Sequence, residues 1–228
     1  INRQLAHYPY HVGQIVFIGK MCASEWNSLS IPKGNSKLYN ADKFAQPKQI
    51  KHFTDEYLNK ESTKEQIVSL LQEAHSQLWD AALNFQSKQM PAGKWSASQH
   101  VQHINKGVYA FLQYLKMDKS QITAQFGTSK KASNSFAELK ALYDKKFQEG
   151  IKSTERFNPE HAAEIDLNQE IAKGKVWLNE LIVAFGNWSD EDLNQYQCPH
   201  PTIGMLTALE MVYFTIFHAG HHAAEIVK

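Results

Sequence analysis

From residue 62 onward, apolar positions recur at the i, i+3, i+4, i+7 spacing of one helical face, and no stretch carries the alternation of a strand. Ile67, Leu70, Leu71, Ala74, Leu78, Ala82 and Phe85 form the first stripe, introduced by the capping box Ser62-x-x-Glu65 and ended near Pro91 and Gly93. A second box, Ser96-x-x-Gln99, opens a helix whose stripe is Val101, Ile104, Val108, Phe111, Leu112 and Leu115. The polar stretch "DKSQITAQFGTSKKASN" follows. Ser135-x-x-Glu138 then starts a shorter helix through Leu139, Leu142, Tyr143 and Phe147, broken at "RFNPEH". The next helix runs from about Leu167 to Phe185, with Ile171, Leu178, Leu181, Ile182 and Phe185 inward and Gly186-Asn187 as its stop. After the loop "CPHPTIG", Thr207-x-x-Glu210 caps a last helix carrying Met211, Phe214 and Phe217. Four long helices with one long connection between the second and third predict an all-α four-helix bundle with a crossover helix.

Residues 1 to about 22 read as an extra N-terminal helix, apolar nearly all round through Val12, Ile15, Val16, Phe17 and Ile18, which does not stand alone in water. The segment "SLSIPKGNSKLYNADKFAQPKQIKHF" holds Pro, Gly, Ser and Asn without a helical period and reads as tail and linker. The expected division is therefore residues 1–60, a terminal helix and extended tail, and 61–228, the bundle. Ile1 opens the chain already in helical register, which suggests that earlier helices of the first unit lie upstream.

Composition narrows the function. The chain is 228 residues long and 43% hydrophobic, enough for one full-sized core and an appendage. With 24 basic and 23 acidic residues intermixed, no basic stripe points to nucleic acid. Cys22 and Cys198 form no C-x-x-C pair, so a reducing, cytoplasmic compartment is expected. No apolar run approaches the roughly 18 to 20 residues of a membrane helix. No nucleic-acid or membrane partner is expected from composition, and a homodimer through the first helix is allowed.

Histidines carry the candidate chemistry. His218 and His222 stand four apart on the inward stripe of the last helix, about 40° apart in azimuth and roughly 6 Å in rise, so both rings can reach one ion. A catalytic metal site takes three protein ligands and an open position, so a third must come from another helix. On an ideal wheel centred on Ile104, the second helix offers His100, at about −40°, and His103, at about −100°. The wheel favours His100; Gly107, one turn beyond His103, leaves that side roomy. His221 points about 100° away from His222 and reads as a surface residue or one that supports a ligand. His52, His75 and His161 read as ordinary, His200 as a loop residue that could approach the bundle mouth, Glu210 as the capping-box carboxylate, and Trp79 and Trp95 as packing residues. His7 and His11 repeat the H-x-x-x-H spacing, but Pro9 lies between them and would strain a helix.

The motif "WSASQHVQH", followed much later by "HPTIGMLTALEMVYFTIFHAGHH", resembles the DinB superfamily of metal-binding four-helix bundles over residues 62 to 228. That resemblance implies an up-down-down-up bundle with a three-histidine site at one end. The family's second-helix ligand falls eight residues after the Trp, on His103, and the pair falls on His218 and His222. "RQLAHYPYHVGQIVFIGKM" with its tail is similar to the end of a second, DinB-related family, so residues 1–60 would belong to a truncated domain and His7 and His11 to a half-site. The superfamily includes thiol S-transferases using low-molecular-weight thiols such as bacillithiol or mycothiol. It implies a divalent ion, zinc or nickel foremost, that activates a thiol or water in a transferase or hydrolase. The alternative is a non-catalytic metal-binding or stress-response scaffold whose first helix docks on a partner.

Overall fold

Side-chain caps decide where the long helices begin. The structure, a computed structural model, describes Cys22 and residues 62–88, 90, 91, 93–150 and 152–228. The chain divides into two compact units, residues 1–50 and 51–228, and the second contains the bundle. The expected N-terminal helix, the linker through residue 60, His7, His11 and His52 lie outside the described residues.

Helix α1 (Lys64–Asn84) starts one residue later than the sequence predicts. Thr63, not Ser62, is the N-cap, and Gln66 closes the box where Glu65 was expected. Either hydroxyl could serve, and the later one puts Ile67, Leu70, Leu71, Ala74 and Leu78 onto the buried face. Ser96 and Gln99 cap α2 (Ala97–Leu115) as expected. The polar stretch after it is not irregular: residues Lys119–Phe126 form α3, because Ile122 is fully buried and supplies the anchor a short helix needs. Helix α4 (Phe136–Gln148) carries the predicted Ser135–Glu138 box, with Leu139 and Tyr143 buried but Leu142 and Phe147 exposed. Two 3₁₀ turns, Glu155–Phe157 and Ala162–Glu164, complete the crossover.

Helix α5 (Leu167–Gly186) is capped by Asp166, and α6 (Asp190–Gln195) is a short turn after it. The expected loop "CPHPTIG" is instead the bend of an antiparallel hairpin, β1 (Gln197–His200) with β2 (Gly204–Thr207), paired Gln197 with Thr207 and His200 with Gly204. Four-residue strands are too short to show a period of two, which is why no alternation announces them. Helix α7 (Ala208–Val227) comes next, capped by Thr207 and Glu210. Buried Glu210 also accepts from the Asn134 backbone and side-chain amides at 2.6 and 2.7 Å, tying the crossover to α7.

Contacts along the helices give their directions. Asn105 meets Glu170, the Tyr109 ring lies 4.9 Å from that of Trp177 and Lys116 pairs with Glu180, so α2 and α5 run parallel. His100 meets His222 and His103 meets His218, so α2 and α7 are antiparallel. Lys88, just past α1, reaches the Val227 carbonyl at the end of α7, and these two run together. The order is up-down-down-up. At one end Trp188 donates to the Leu115 carbonyl at 3.0 Å and accepts from Lys64 through its own carbonyl. The other end gathers the start of α2 and the end of α7.

Polar groups also lie inside the bundle. Asn105 donates to the Glu170 carbonyl and carboxylate at 2.8 and 2.9 Å, and Gly174 lets α5 approach it: a Cβ there would stand 2.5 Å from Asn105 Oδ1 and 3.3 Å from Trp79 Nε1. His75, expected to be ordinary, is a core residue, 1% exposed, with Nδ1 donating to the Leu71 carbonyl at 2.8 Å.

Gly174→Ala should lose roughly 1–3 kcal/mol through overpacking, although Ala favours helix, whereas Gly107→Ala, with nothing within 4 Å, should gain up to about 1 kcal/mol. Urea unfolding of the two variants checks the opposite signs. Burial pushes His75 down to about 4. The unfolded ring, near 6.5, binds its proton first, so this stability is complete above pH 6.5 and is lost as pH falls toward 4, by roughly 3 kcal/mol. Unfolding free energies at pH 7.5 and 5 should differ less in His75→Leu than in the wild type.

Candidate metal centre

The start of α2 and the end of α7 bring His103, His218 and His222 together, their ligand atoms all within 4.8 Å of one another. His218 Nε2 stands 3.1 Å from His103 Nε2 and 3.0 Å from His222 Nε2. Three nitrogens around a tetrahedral ion with bonds of 2.0–2.1 Å would sit about 3.3 Å apart, close to the two spacings about His218.

Proton placement supports the same fit. His103 Nδ1 lies 2.8 Å from the Phe157 carbonyl, which can only accept, so Nδ1 carries the proton and neutral Nε2 presents its lone pair. His222 Nδ1 lies 2.7 Å from His100 Nδ1, and donation to His100 likewise leaves the His222 Nε2 lone pair inward. His218 Nε2 then faces two acceptors with at most one ring proton, while a cation at the centre would satisfy all three nitrogens. Burial holds His218 and His222 well below the ordinary histidine pKa. Burial also lowers His103, with the Phe157 carbonyl pulling the other way. The cluster is thus neutral at neutral pH, the state in which imidazole can coordinate.

His100 and His103 are equally buried, each 7% exposed, yet only His103 joins the cluster. The wheel preference for His100 is therefore corrected at the level of geometry. His100 stands behind His222 as its hydrogen-bond partner. The reason lies in the crossover: Gln99 donates to the Glu160 carbonyl, Gln102 exchanges two hydrogen bonds with Glu160 and Lys106 donates to the Asn158 carbonyl. These contacts cover the flank of α2 that periodicity assigns to solvent. The polar residues Gln99, Gln102, His103 and Lys106 share the helical spacing i, i+3, i+4, i+7, a signal that could have revealed this second covered stripe.

Trp95, expected to pack, lies against the cluster itself: its ring is 4.9 Å from that of His103 and nearly parallel to His222 at 6.0 Å. His221 is half-buried, its ring 5.1 Å from Phe147, and stays outside the cluster. His200 sits at the end of β1, where Nδ1 accepts from the backbone amides of Thr202 and Ile203 at 3.3 and 3.1 Å and the ring meets Phe214 at 4.3 Å. His161 is the residue before the second 3₁₀ turn and is not one of the three. The cluster forms part of the wall of a cavity of about 780 Å³, a ligand-sized space lined largely by apolar side chains such as Ile104, Val108, Phe111 and Phe214.

An up-down-down-up helical bundle with three imidazoles converging at one end defines a class of bundle with a candidate three-histidine metal centre. The chain belongs to the DinB superfamily, which its residues 62–226 match. Residues 1–35 match a family described as a protein of unknown function, DUF1572. No curated protein and no solved structure matches the chain. No helix among the described residues is long and apolar enough to cross a membrane.

Between pH 8 and 6, the imidazole ¹⁵N shifts of His218 and His222 in metal-free protein should stay constant. Titration of either of them near 6.5 would show that burial does not control their charge.

Proposed function

We propose that the protein is a metal-dependent enzyme of the DinB type, a thiol S-transferase or hydrolase, with a divalent ion, zinc or nickel, on His103, His218 and His222. The observation that carries this reading is the convergence of three Nε2 atoms, that of His218 lying 3.1 and 3.0 Å from those of His103 and His222, on the wall of a ligand-sized cavity. A bound divalent ion would supply Lewis acidity that lowers the pKa of a thiol or water beside it.

The chain's own residues support this division of labour. The Phe157 carbonyl fixes the tautomer of His103, and His100 Nδ1, 2.7 Å from His222 Nδ1, orients the ring of His222. Trp95 shields the cluster from solvent, which strengthens electrostatics there. Among the described residues, no activated nucleophile of the chain competes: burial pushes the Cys198 thiol and the Tyr143 phenol each up to about 12, and no carboxylate lines the cavity. The nucleophile in this reading is therefore a bound small molecule, a low-molecular-weight thiol in the transferase form. Free Cys22 and Cys198 accord with a cytoplasmic setting.

Elemental analysis of purified protein should find about one divalent ion per chain, and His218→Ala should lose it while keeping its helical circular dichroism. His100→Phe should weaken binding by roughly 10–100-fold, as loss of a ligand's hydrogen-bond partner does, and His100→Asn should recover part of it. Loaded protein should consume thiol in the presence of monobromobimane or hydrolyse an activated ester. A bound ion with neither reaction would favour a non-catalytic metal-binding scaffold, and full occupancy in His218→Ala would remove the proposal.

A further inference from the structure

The cavity beside the histidine cluster is unevenly charged. The chain carries 23 acidic and 24 basic residues, yet among the described residues no Asp or Glu lines this cavity, whereas Lys152 and Arg156 both do. Both are exposed at its rim, and neither is in an ion pair among the described residues. Glu155 is next to Arg156 in sequence and lies outside the lining.

The backbone at Arg156 is held in place. Arg156 lies within the 3₁₀ turn Glu155–Phe157, closed by the Phe157 and Asn158 amides donating to the Thr154 carbonyl at 2.9 and 3.1 Å. The next carbonyls, of Phe157 and Asn158, accept from His103 and Lys106 on α2. The Arg156 guanidinium stands 5.5 Å from the centre of the Phe157 ring, itself part of the cavity wall. Three neutral imidazoles would also leave both positive charges of a divalent ion uncompensated. Charge in the cavity therefore has one sign, and the remaining walls are mainly aliphatic and aromatic.

We propose that this cavity takes an amphipathic small molecule with an oxyanion head, its apolar body among Ile104, Val108, Phe111, Tyr143 and Phe214 and its head at Lys152 and Arg156. Guanidinium matches the two oxygens of a carboxylate or phosphate, and the ammonium adds a point charge. This assignment deepens the functional reading and rests on it for the second reactant, since head-group recognition would orient the body toward the histidine cluster.

Calorimetry with octanoate, octyl phosphate, octanol and octylammonium, on metal-loaded and metal-stripped protein, tests it. Wild-type protein should bind octanoate or octyl phosphate at least roughly tenfold more tightly than octanol, in both metal states, and octylammonium least. The order of the two anions tells carboxylate from phosphate. Lys152→Gln/Arg156→Gln changes exposed residues only, and should bring the anions to within about twofold of octanol with metal content unchanged. A wild type without preference for the anions overturns the inference. So does a preference that survives in the double variant; if that surviving preference disappears on stripping, the metal itself holds the head, which upholds the metal site while overturning the rim. A rim-dependent preference in protein that binds no metal would uphold the inference and defeat the functional reading.

Discussion

The hydrogen bond from His103 Nδ1 to the Phe157 carbonyl holds the site together. It joins two parts of the chain 54 residues apart, fixes which ring nitrogen is protonated and turns the other toward α7. Without it the imidazole would be free to rotate or to change tautomer, and three helical histidines would be merely near one another. Backbone carbonyls make reliable partners of this kind because they only accept, and their positions are set by the fold. The Gln102–Glu160 pair and Lys106 hold the same stretch of crossover against α2, so the carbonyl cannot drift away.

The crossover thereby does more than connect. It shields one flank of α2, presents a carbonyl to a ligand and carries Lys152 and Arg156 to the edge of the cavity. Its other end is fastened to α7 through Asn134 and buried Glu210, a carboxylate that also caps the helix bearing His218 and His222. A single connection thus constrains both helices that build the cluster. The parallel pairing of α2 with α5 follows from the same long connection, since a short loop would have made these helices antiparallel neighbours.

Burial explains the chemistry as much as position does. The imidazoles are neutral because charging them away from water is unfavourable, and the same effect silences Cys198 and Tyr143. A cavity whose own nucleophiles are suppressed and whose imidazoles are neutral suits chemistry supplied by bound species. Trp95 belongs to this arrangement, since an indole against two of the three rings excludes water without offering an acceptor.

Periodicity and capping residues determined the four long helices, their apolar faces and the long second connection, because those signals act within a few residues of chain. Spacing likewise put His218 and His222 on one inward face. Resemblance to a family, and not the wheel, pointed to His103 in place of His100. The hairpin β1–β2 and helix α3 went unread because elements of four to eight residues have too little length to show a period, and packing of Ile122 and Leu206 decides them. Which residues of α2 were truly covered was settled by tertiary structure alone: the crossover buries polar side chains by hydrogen-bonding them, and apolar periodicity carries no record of a face that is dry for that reason.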